Sequence, residues 1–505
     1  MAEAPLMSNE LVLNVTLGET RVARLENGMV AELYMERTKE QGVVGNVYKG
    51  RVVRVLPGMQ AAFVEIGLDR TAFLHATEVV EELTQLDADF DAEEEESRRS
   101  SRHHPNIQDL LKEGEDIVVQ VEKEPMGTKG ARLTSHISLP GRYLVYMPFV
   151  QHIGISRRLE DERERRRLRQ LIAKFRSAGA GGFIVRTACV GIPDEEIRSD
   201  MEYLVRSWKE IEEKITRAAK SPTLIHSELD VLLKTVRDLF TPDIDRLVID
   251  NADAYDRVIR FVKDFMPGLK SAVEFYQEEE PIFDRFGIEI EITRALGQKV
   301  WLKSGGYIII EQTEALTAID VNTGRFVGRR DLQDTILKTN LEAVREIVYQ
   351  LRLRNIGGII ILDFIDMERH SDKQKVFNSL KEALKSDRAR STITKISDLG
   401  LVEMTRKRTR EDLRRQLTDP CTYCEGKGYL KSTLTVCYEV FREVGREAQH
   451  IKGNQITVYV HPQVANILYD EERKWLETLE ARFKKRITVK AVPEYHLEQF
   501  DVAEV

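Results

Sequence analysis

Two apolar segments that each end in an aspartate constrain this chain more than any other feature of its sequence. The first, at 318–325, reads Ala-Ile-Asp-Val-Asn-Thr-Gly-Arg and contains Asp320 and Asn322. The second, at 357–366, reads Gly-Gly-Ile-Ile-Ile-Leu-Asp-Phe-Ile-Asp, and Asp363 is its first charged residue. A carboxylate at the end of an apolar strand is costly to desolvate unless it is paired, hydrogen-bonded or bound to a cation. Side by side, the two aspartates would form a hard oxygen site for Mg²⁺ or Mn²⁺. Structural caps or ion pairs are the alternative.

The predicted metal site contains two carboxylates and one amide. Alternate residues of a strand share a face, so Asp320 and Asn322 could reach the same ion. Asp366 is three residues from Asp363 and is expected to cap the next helix or to lie behind the ligands. A metal ion here would activate a water molecule and offset charge at a phosphate. Four basic residues near these strand ends in sequence could hold that phosphate: Arg325, Arg388, Arg390 and Lys395.

Length and composition predict a multidomain chain of the cytoplasm. A chain of 505 residues is expected to form about three or four domains. No apolar run reaches the roughly 18 residues of a membrane span, and the first residues lack a secretory signal pattern, so we expect no membrane association. Four cysteines are too few for a disulfide framework, which favours a reducing compartment. The net charge of −8 argues only weakly against nucleic acid, because binding depends on local basic patches.

The hydrophobic pattern predicts a mixed α/β architecture. Short strands separated by turn signals between residues 9 and 122 predict a small antiparallel barrel, with the polar segment 87–106 as a mobile loop. Strand and helix patterns alternate in the second half and predict an α/β layer with carboxylates at its strand ends. The remaining segments are predicted as helices at 156–178, 193–240, 330–354 and 371–386, strands within 282–319 and at 359–363 and 392–396, and a smaller mixed domain at 434–505.

The four cysteines fall into two classes. Cys421 and Cys424 form a CxxC pair on a turn rich in proline and glycine, a spacing that suits zinc. Structural zinc needs four ligands, and a dimer that shares one ion would supply two from each chain. A redox pair or unliganded thiols are the alternatives. Cys189 and Cys437 lie in apolar surroundings and are predicted core residues.

Several residues and one basic segment could contact nucleic acid. Phe63 and Phe73 lie on predicted barrel strands, where they would either stack on bases or pack in the core. The segment 405–410 is mostly basic and favours a polyanion. Further side chains that could contact phosphate flank a glycine-containing loop or follow a strand: Lys123, Lys129, Arg186 and Thr187.

These motifs together resemble the ribonuclease E/G family over nearly the whole chain. The resemblance rests on AIDVNTGR, GGIIILDFIDM, SDRARSTITKIS and the CxxC pair, which occur in the family's order. It implies a single-strand-specific endoribonuclease that prefers a 5′-monophosphate and acts in ribosomal RNA processing and messenger RNA decay. Because no long Pro/Arg-rich tail follows the last motif, we expect the G branch of the family.

The resemblance also implies roles for individual residues. It implies a Mg²⁺ site at Asp320 and Asp363, with Asn322 and Arg390 beside it. It implies a zinc link between two protomers at Cys421 and Cys424. The remaining implied residues line the RNA-facing side of a barrel with the oligonucleotide-binding (OB) fold and a 5′-phosphate sensor: Phe63, Phe73 and Lys129 on the barrel, and Arg186, Thr187, Gly141, Val145 and Arg158 in the sensor.

The family's architecture implies a multidomain α/β fold. The expected parts are a ribonuclease-H-like subdomain (1–39 and 231–295), an OB-fold domain (40–135), a 5′ sensor (136–230), a deoxyribonuclease-I-like catalytic subdomain (296–417), a zinc link (418–431) and a small C-terminal dimerisation domain (432–505). Two other functions remain open: an RNA-binding or ribosome-assembly protein with a structural metal site, and a DNA nuclease or metallophosphatase.

Overall fold

The computed structural model describes residues 8–38, 42–79, 106–125, 130–156, 159, 161–176, 181–324, 332–397, 399–408 and 410–504. The predicted loop 87–106, apart from its last residue, lies outside the described residues, as do Lys129, Arg158 and Arg325. The chain divides into two units, Met1–Leu413 and Arg414–Val505. Within the described ranges, no helix combines the length and the apolar character needed to cross a membrane.

The first three strands form an antiparallel meander. They are β1 (Asn9–Val15), β2 (Glu19–Glu26) and β3 (Met29–Arg37). A turn at Asn27-Gly28 joins β2 to β3, and both residues have positive φ, as the preferred hairpin turns require.

The predicted barrel is present and is built from five consecutive strands. They are β4 (Val47–Leu56), β5 (Ala61–Glu65), β6 (Ala72–His75), β7 (Asp116–Lys123) and β8 (Arg132–Thr134), with the short helix α1 (Ile107–Leu110) before β7. The strands before residue 38, however, belong to another sheet, and one barrel pair, β6 with β8, is parallel. The sheet closes because β4 pairs with both β5 and β7. Its core includes Val64 and Leu74, both completely buried.

A four-stranded sheet and two helices follow the barrel. The elements are β9 (Leu139–Pro140), β10 (Leu144–Met147), β11 (Ile153–Ile155), α2 (Glu162–Phe175), β12 (Gly182–Val185), α3 (Asp194–Arg217) and β13 (Thr223–His226). The prediction of helix throughout 193–240 is wrong. Pro222 lies just after α3 and cannot continue a helix, and β13 pairs with β4 of the barrel instead.

The next elements complete the sheet that the first three strands began. They are α4 (Val231–Leu239), β14 (Arg246–Ile249), α5 (Ala252–Phe265) and β15 (Val273–Phe275). β14 pairs in parallel with both β1 and β15, so the strand order is β15-β14-β1-β2-β3. The barrel and the sheet β9–β12 are therefore inserted between two parts of one sheet.

Residues 282–296 are helical, whereas the sequence pattern predicted strands there. They form α6 (Ile282–Arg285) and α7 (Ile288–Leu296). The alternation Ile-Glu-Ile-Glu-Ile suggested a strand, but Ile290 is 57% exposed while Ile288 and Ile292 are buried. Burial four residues apart is the helical period, and this period determines the structure here.

The following sheet carries the two predicted aspartates. Its elements are β16 (Lys299–Trp301), β17 (Tyr307–Gln312), β18 (Leu316–Asn322), α8 (Leu332–Leu353), β19 (Gly358–Asp363), α9 (His370–Ala383), β20 (Ser391–Ile393) and β21 (Leu401–Arg406). The strand order is β16-β17-β18-β19-β21-β20, and only β18 and β19 are parallel. One face of this sheet packs against α8 and α9 in a single apolar core. The predicted helices and strands between 330 and 396 are confirmed to within a few residues.

The second unit is a small mixed domain, as predicted. After α10 (Leu413–Leu417), its elements are α11 (Thr433–Glu447), β22 (Gln455–Val460), α12 (Pro462–Tyr469), α13 (Arg473–Phe483), β23 (Arg486–Ala491) and β24 (Phe500–Glu504). The strand order is β23-β22-β24, and β22 is parallel to β23 and antiparallel to β24. Cys437 is fully buried in its core, as predicted.

Candidate active site

The structure brings Asp320 and Asp363 together at the ends of two neighbouring strands. They are register partners on β18 and β19, and paired residues of adjacent strands have α-carbons about 4.8 Å apart. Ile319 and Leu362 are fully buried against the helices, so the two aspartates point to the opposite face, where both are exposed. The separation is well within the span of one divalent cation.

The charges of this pair suit a cation. Burial, followed by the negative charges of Asp320 and Asp366, raises the pKa of Asp363 above its usual value. Asn322 donates from Nδ2 to Oδ2 of Asp320 at 2.7 Å, so the predicted amide is in place. No group of three or more metal-ligating residues occurs in the described part of the chain. Two carboxylates could hold an ion such as Mg²⁺, which takes one or two carboxylates and keeps several water molecules.

A buried amide of α8 fixes the segment that follows Asp363. Asn340 is fully buried. Its side chain donates to the carbonyl oxygen of Ile365 at 2.9 Å and accepts from the Ile365 N–H at 3.2 Å. This two-way contact holds the backbone beside the aspartate pair, which is the role of a supporting residue around a binding site.

Asp366 does not cap the following helix, so that part of the prediction is wrong. The N-cap of α9 is Arg369, three residues further along the chain. The charge of Asp366 instead acts on Asp363, whose pKa it helps to raise.

Arg390 lies at the other end of the sheet from the aspartates. It precedes Ser391, which pairs with Arg406 of β21, and Arg406 pairs with Gly358. Gly358 is the first residue of β19 and Asp363 is its last, a separation of about 17 Å along the strand. The structure therefore does not bring Arg390 to the carboxylate pair.

Two other basic residues that could hold phosphate occupy different positions. Lys395 lies between Thr394, which is bonded to Glu403, and Ser397, which is bonded to Leu401. Because Leu401 pairs with Asp363, Lys395 is at the aspartate end of the sheet. The guanidinium of Arg388 instead lies 3.5 Å from the carbonyl oxygen of Asp238.

The predicted 5′ sensor is organised around Arg186. It follows β12, and its Nη1 donates to the carbonyl oxygen of Gly141 at 2.5 Å and to Oδ1 of Asp238 at 2.9 Å. Thr187 is the next residue and begins a short 3₁₀ turn. Val145 lies on β10 beside Ile184 and faces away from the core. Four of the five predicted sensor residues thus lie together, and Arg158 is outside the described residues.

The turn at Gly141 depends on a buried carboxylate. Asp200 of α3 accepts backbone N–H groups from Arg142 at 3.1 Å and from Tyr143 and Leu144 at 2.9 Å each. A β-carbon on Gly141 would lie 2.7 Å from both carboxylate oxygens, so only glycine fits. Burial raises the pKa of Asp200, and the three N–H donors offset this only in part.

The barrel presents an aromatic and basic face. Phe63 and Phe73 are cross-strand partners on β5 and β6, with ring centroids 6.2 Å apart. They are half-buried and lie on the face opposite the barrel core. Arg54 pairs with Phe63, Arg132 pairs with Phe73, and Lys123 pairs with Arg132. The row therefore offers rings for stacking and cations for phosphate contacts.

The CxxC turn presents two sulfur atoms to solvent. Cys421 is exposed and Cys424 is half-buried. Hydrogen bonds from the backbone N–H groups of Cys424 and Tyr423, and then from the Cys424 thiol, lower the pKa of Cys421. The N–H of Gly428 donates to Sγ of Cys424 at 3.4 Å. Such N–H to sulfur contacts stabilise thiolates, the form that binds zinc.

Three family models match successive parts of the chain. The Ribonuclease E/G family matches residues 138–409, the S1 RNA binding domain matches 43–135, and the RNase E/G thioredoxin-like domain matches 420–505. Ribonuclease G of Escherichia coli K12 is 46% identical and covers 98% of this chain and 99% of its own length. Ribonuclease G of Haemophilus influenzae is 47% identical with the same coverage. Ribonuclease E of Haemophilus influenzae is 37% identical over 95% of this chain and 50% of its own length.

The chain belongs to the ribonuclease E/G family. The predicted resemblance to ribonuclease G is confirmed, and so is the prediction that the chain is an endoribonuclease. The S1 match confirms the OB-fold barrel, and the small C-terminal domain is thioredoxin-like. The ribonuclease-H-like and deoxyribonuclease-I-like assignments stay predictions.

Sequence reasoning missed three residues that position the sites of this ribonuclease E/G family member. They are Asn340, which bonds the backbone after Asp363, Asp200, which bonds the turn after Gly141, and Asp238, which bonds Arg186. Asn340 gave a signal, because it is an amide on the apolar stripe of α8. Asp200 and Asp238 gave none, because the groups that they position, the backbone of 142–144 and Arg186, are distant in sequence.

Proposed function

We propose that the chain is a Mg²⁺-dependent endoribonuclease that hydrolyses single-stranded RNA, prefers 5′-monophosphorylated ends, and acts in ribosomal RNA processing and messenger RNA decay in the cytoplasm. The observation that carries this proposal is the side-by-side register of Asp320 and Asp363 on β18 and β19. Hydrolysis would leave a 3′-hydroxyl and a 5′-phosphate on the two fragments.

Asp320 and Asp363 would hold the ion, and Asn322 would orient Asp320 through their hydrogen bond. A Mg²⁺ ion at this position would supply positive charge that offsets the negative charge developing on the scissile phosphate. The repulsion from Asp320 and Asp366, which contributes to the raised pKa of Asp363, would be relieved by a bound cation. Asn340 would keep these groups in place through its contacts with Ile365.

Arg186 and Thr187 would bind the 5′-phosphate of the substrate. Only Nη1 of Arg186 is used in its contacts with Gly141 and Asp238. The other N–H groups of the guanidinium and the Thr187 hydroxyl are of the kind that binds phosphate strongly. Asp238 lies between Arg237 and Arg186, and these two cations outweigh the effect of burial and lower its pKa. It therefore stays ionised and holds Arg186 in one orientation.

The barrel would guide the RNA strand. Stacking on Phe63 and Phe73, with Lys123 and Arg54 against the backbone, needs no particular base sequence. This role agrees with the S1 RNA binding domain match over residues 43–135.

Cys421 and Cys424 would bind zinc together with the same pair of a second copy, which would make the protein a homodimer. The lowered pKa of Cys421 supports this proposal. Two cysteines leave a tetrahedral structural site half complete, so the other two ligands would come from a second chain.

Asp320→Asn and Asp363→Asn test the catalytic proposal. Each change should reduce Mg²⁺-dependent cleavage of a single-stranded oligoribonucleotide by on the order of a hundredfold or more, because it removes charge that holds the ion. RNA binding should survive. Glu311→Gln is the matched control, since Glu311 is an exposed carboxylate on the same sheet, opposite Ala318. Cleavage as fast as the parent's in the aspartate variants would contradict the catalytic assignment of Asp320 and Asp363.

The sensor is tested with two oligoribonucleotides of one sequence, one with a 5′-monophosphate and one with a 5′-hydroxyl. The parent should cleave the first with the higher kcat/KM. Arg186→Gln should remove that difference and leave cleavage of the 5′-hydroxyl substrate unchanged. An equal loss on both substrates would place Arg186 outside a 5′-specific pocket.

The zinc proposal is tested by changing both thiols. Cys421→Ala with Cys424→Ala should lose bound zinc and elute as a monomer in size-exclusion chromatography. A Cys437→Ala variant is the control, because that thiol is buried. A dimer that survives without the two cysteines would contradict a shared ion.

A further inference from the structure

An aromatic pair lies beside the two aspartates on the same face of the sheet. The hairpin of β16 and β17 brings it there, because β17 also pairs with β18, which carries Asp320. Two rows of side chains cross the strands on this face. In order from β16 inward, one row contains Trp301, Tyr307 and Asn322, and the next contains Lys299, Ile309, Asp320 and Asp363. With strands about 4.8 Å apart, Trp301 is about 10 Å from Asn322.

The two rings and a lysine form a cluster that we call the aromatic platform, namely Lys299, Trp301 and Tyr307. The ring centroids of Trp301 and Tyr307 are 5.3 Å apart in an edge-to-face arrangement. Lys299 Nζ lies 4.1 Å from the centroid of Trp301 and 3.7 Å from that of Tyr307. Trp301 is nevertheless 63% exposed. Its neighbours in sequence, Val300 and Leu302, point the other way into the core. The indole of Trp301 is therefore not part of the packed core of the sheet.

The platform is fixed relative to the aspartates. The loop between β16 and β17 approaches the end of β18 so closely that a β-carbon on Gly324 would lie 2.4 Å from the carbonyl oxygen of Gly305. The same loop is bonded to α8, because the N–H of Ser304 donates to Oε1 of Glu342 at 3.1 Å. A rigid hairpin presents an exposed ring at a constant distance from the metal site, as a substrate-positioning group requires.

We propose that the aromatic platform is a base-binding site of the catalytic sheet, in which Trp301 stacks on a base that flanks the scissile phosphate and Lys299 contacts a neighbouring backbone phosphate. This inference rests on the proposed function and extends it, because it assigns a substrate-positioning role to residues outside the carboxylate pair, the barrel and the sensor. Base stacking on an aromatic side chain is tolerant of sequence, and a cation beside it matches a polyanion.

The neighbourhood favours RNA over a second copy of the chain as the occupant. The adjacent row holds the carboxylates that would bind the ion at the scissile bond, so the substrate must pass over this face. Lys299 places a positive charge next to the exposed ring. If two copies of the chain were packed together through this face, they would block the approach of RNA to Asp320 and Asp363.

The test measures binding of a single-stranded oligoribonucleotide to the full chain in an Asp320→Asn background, which keeps the RNA intact. Trp301→Ala should weaken binding by about 5- to 150-fold, the range for loss of one stacked base. Trp301→Phe should restore most of it. Trp475→Ala is the matched control, because Trp475 is also exposed, at 52%, but lies in the second unit. The Trp475→Ala chain should bind the oligoribonucleotide as tightly as the parent.

An abasic scan identifies the stacked base. One abasic nucleotide near the cleavage site should weaken binding to the parent by a factor similar to that of Trp301→Ala. It should cause no further loss in the Trp301→Ala chain, because the base and the ring would contribute through the same contact. Losses that multiply, or equal binding of Trp301→Ala and parent chains, would overturn the proposal.

Two further measurements complete the test. The first distinguishes base stacking from a contact between copies of the chain, and the second separates a failure of the platform proposal from a failure of the nuclease proposal. Size-exclusion chromatography of Trp301→Ala should give the parent's oligomeric state, and a loss of dimer with unchanged RNA affinity would show a contact between copies and overturn the inference. Cleavage by the chain with Asp320 and Trp301 intact reports on the proposed function. If that chain cuts RNA and Trp301→Ala binds and cuts equally well, the platform fails while the nuclease proposal stands.

Discussion

Replacing Asp200 by asparagine should loosen the sensor turn and reduce the preference for a 5′-phosphate. One carboxylate oxygen of Asp200 accepts the N–H of Arg142, and the other accepts those of Tyr143 and Leu144. An asparagine can place its single oxygen toward the latter two. Its NH₂ group then faces the Arg142 N–H, which loses its acceptor inside the protein.

One buried donor left without an acceptor costs about 1–3 kcal/mol. The raised pKa of Asp200 shows that burial disfavours the charged carboxylate at this site. The loss of stability on replacing it with a neutral asparagine is therefore expected toward the lower end of that range. Because the folded state holds that proton more tightly than the unfolded one, the parent loses stability as pH rises from the usual carboxyl value, about 3.9, through the folded pKa. The asparagine variant does not share this loss. Asp200→Ala leaves three donors without acceptors and should cost about 3–9 kcal/mol, comparable with the whole stability of many domains.

Hydrogen–deuterium exchange of the peptide that spans residues 141–147 is the direct assay. We expect slow exchange in the parent, faster exchange in Asp200→Asn, and a lower ratio of kcat/KM between 5′-monophosphate and 5′-hydroxyl substrates. Glu202→Gln is the matched control, since Glu202 is an exposed carboxylate on the same helix. Exchange as slow as the parent's in Asp200→Asn, together with an unchanged 5′-end preference, would refute this role of Asp200.

Three further predictions concern other parts of the chain. Phe63→Ala should weaken binding of single-stranded RNA by about 1–3 kcal/mol without lowering the melting temperature, because the ring lies outside the barrel core; a large fall in melting temperature would show a packing role. In zinc-free protein near neutral pH, iodoacetamide should label Cys421 before Cys189, because hydrogen bonds lower the pKa of the first thiol and burial raises that of the second to about 12; mass spectrometry gives the order. Asp387→Asn should destabilise the first unit by about 3–5 kcal/mol in denaturant unfolding, because it breaks a buried ion pair with Arg406; a loss below about 1 kcal/mol would contradict this.

The parts predictable from sequence were those that depend on local pattern. The aspartates at the ends of β18 and β19 follow apolar runs, and two such strands in one layer bring their ends together. The same reasoning failed at 288–292, where alternation of isoleucine and glutamate fits two periods at once. Burial of Ile288 and Ile292, with Ile290 exposed, selects the helix. Tertiary packing decides between the helical and the strand period, and a short sequence pattern carries no information about that packing.

Contacts between distant residues lay beyond local reasoning. The backbone donors to Asp200 are 56 to 58 residues away, and nothing near α3 indicates them. Arg390 shows the converse. It is close to the aspartates in motif order, yet the chain passes through α9 after Asp363 and reaches Arg390 at the far end of the sheet, where β20 begins. Closeness in sequence therefore did not show at which end of the sheet Arg390 lies.

The insertion of the barrel and the sensor into one sheet has a consequence for synthesis on the ribosome. Glu10 of β1 can pair with Arg246 of β14 only after 236 further residues have been synthesised. At about 5–20 residues per second, that interval is on the order of 10 to 50 seconds. Throughout it, one edge of β1 is unpaired while the barrel emerges and closes. The nascent chain must therefore shelter an open strand edge for longer than most small domains take to fold.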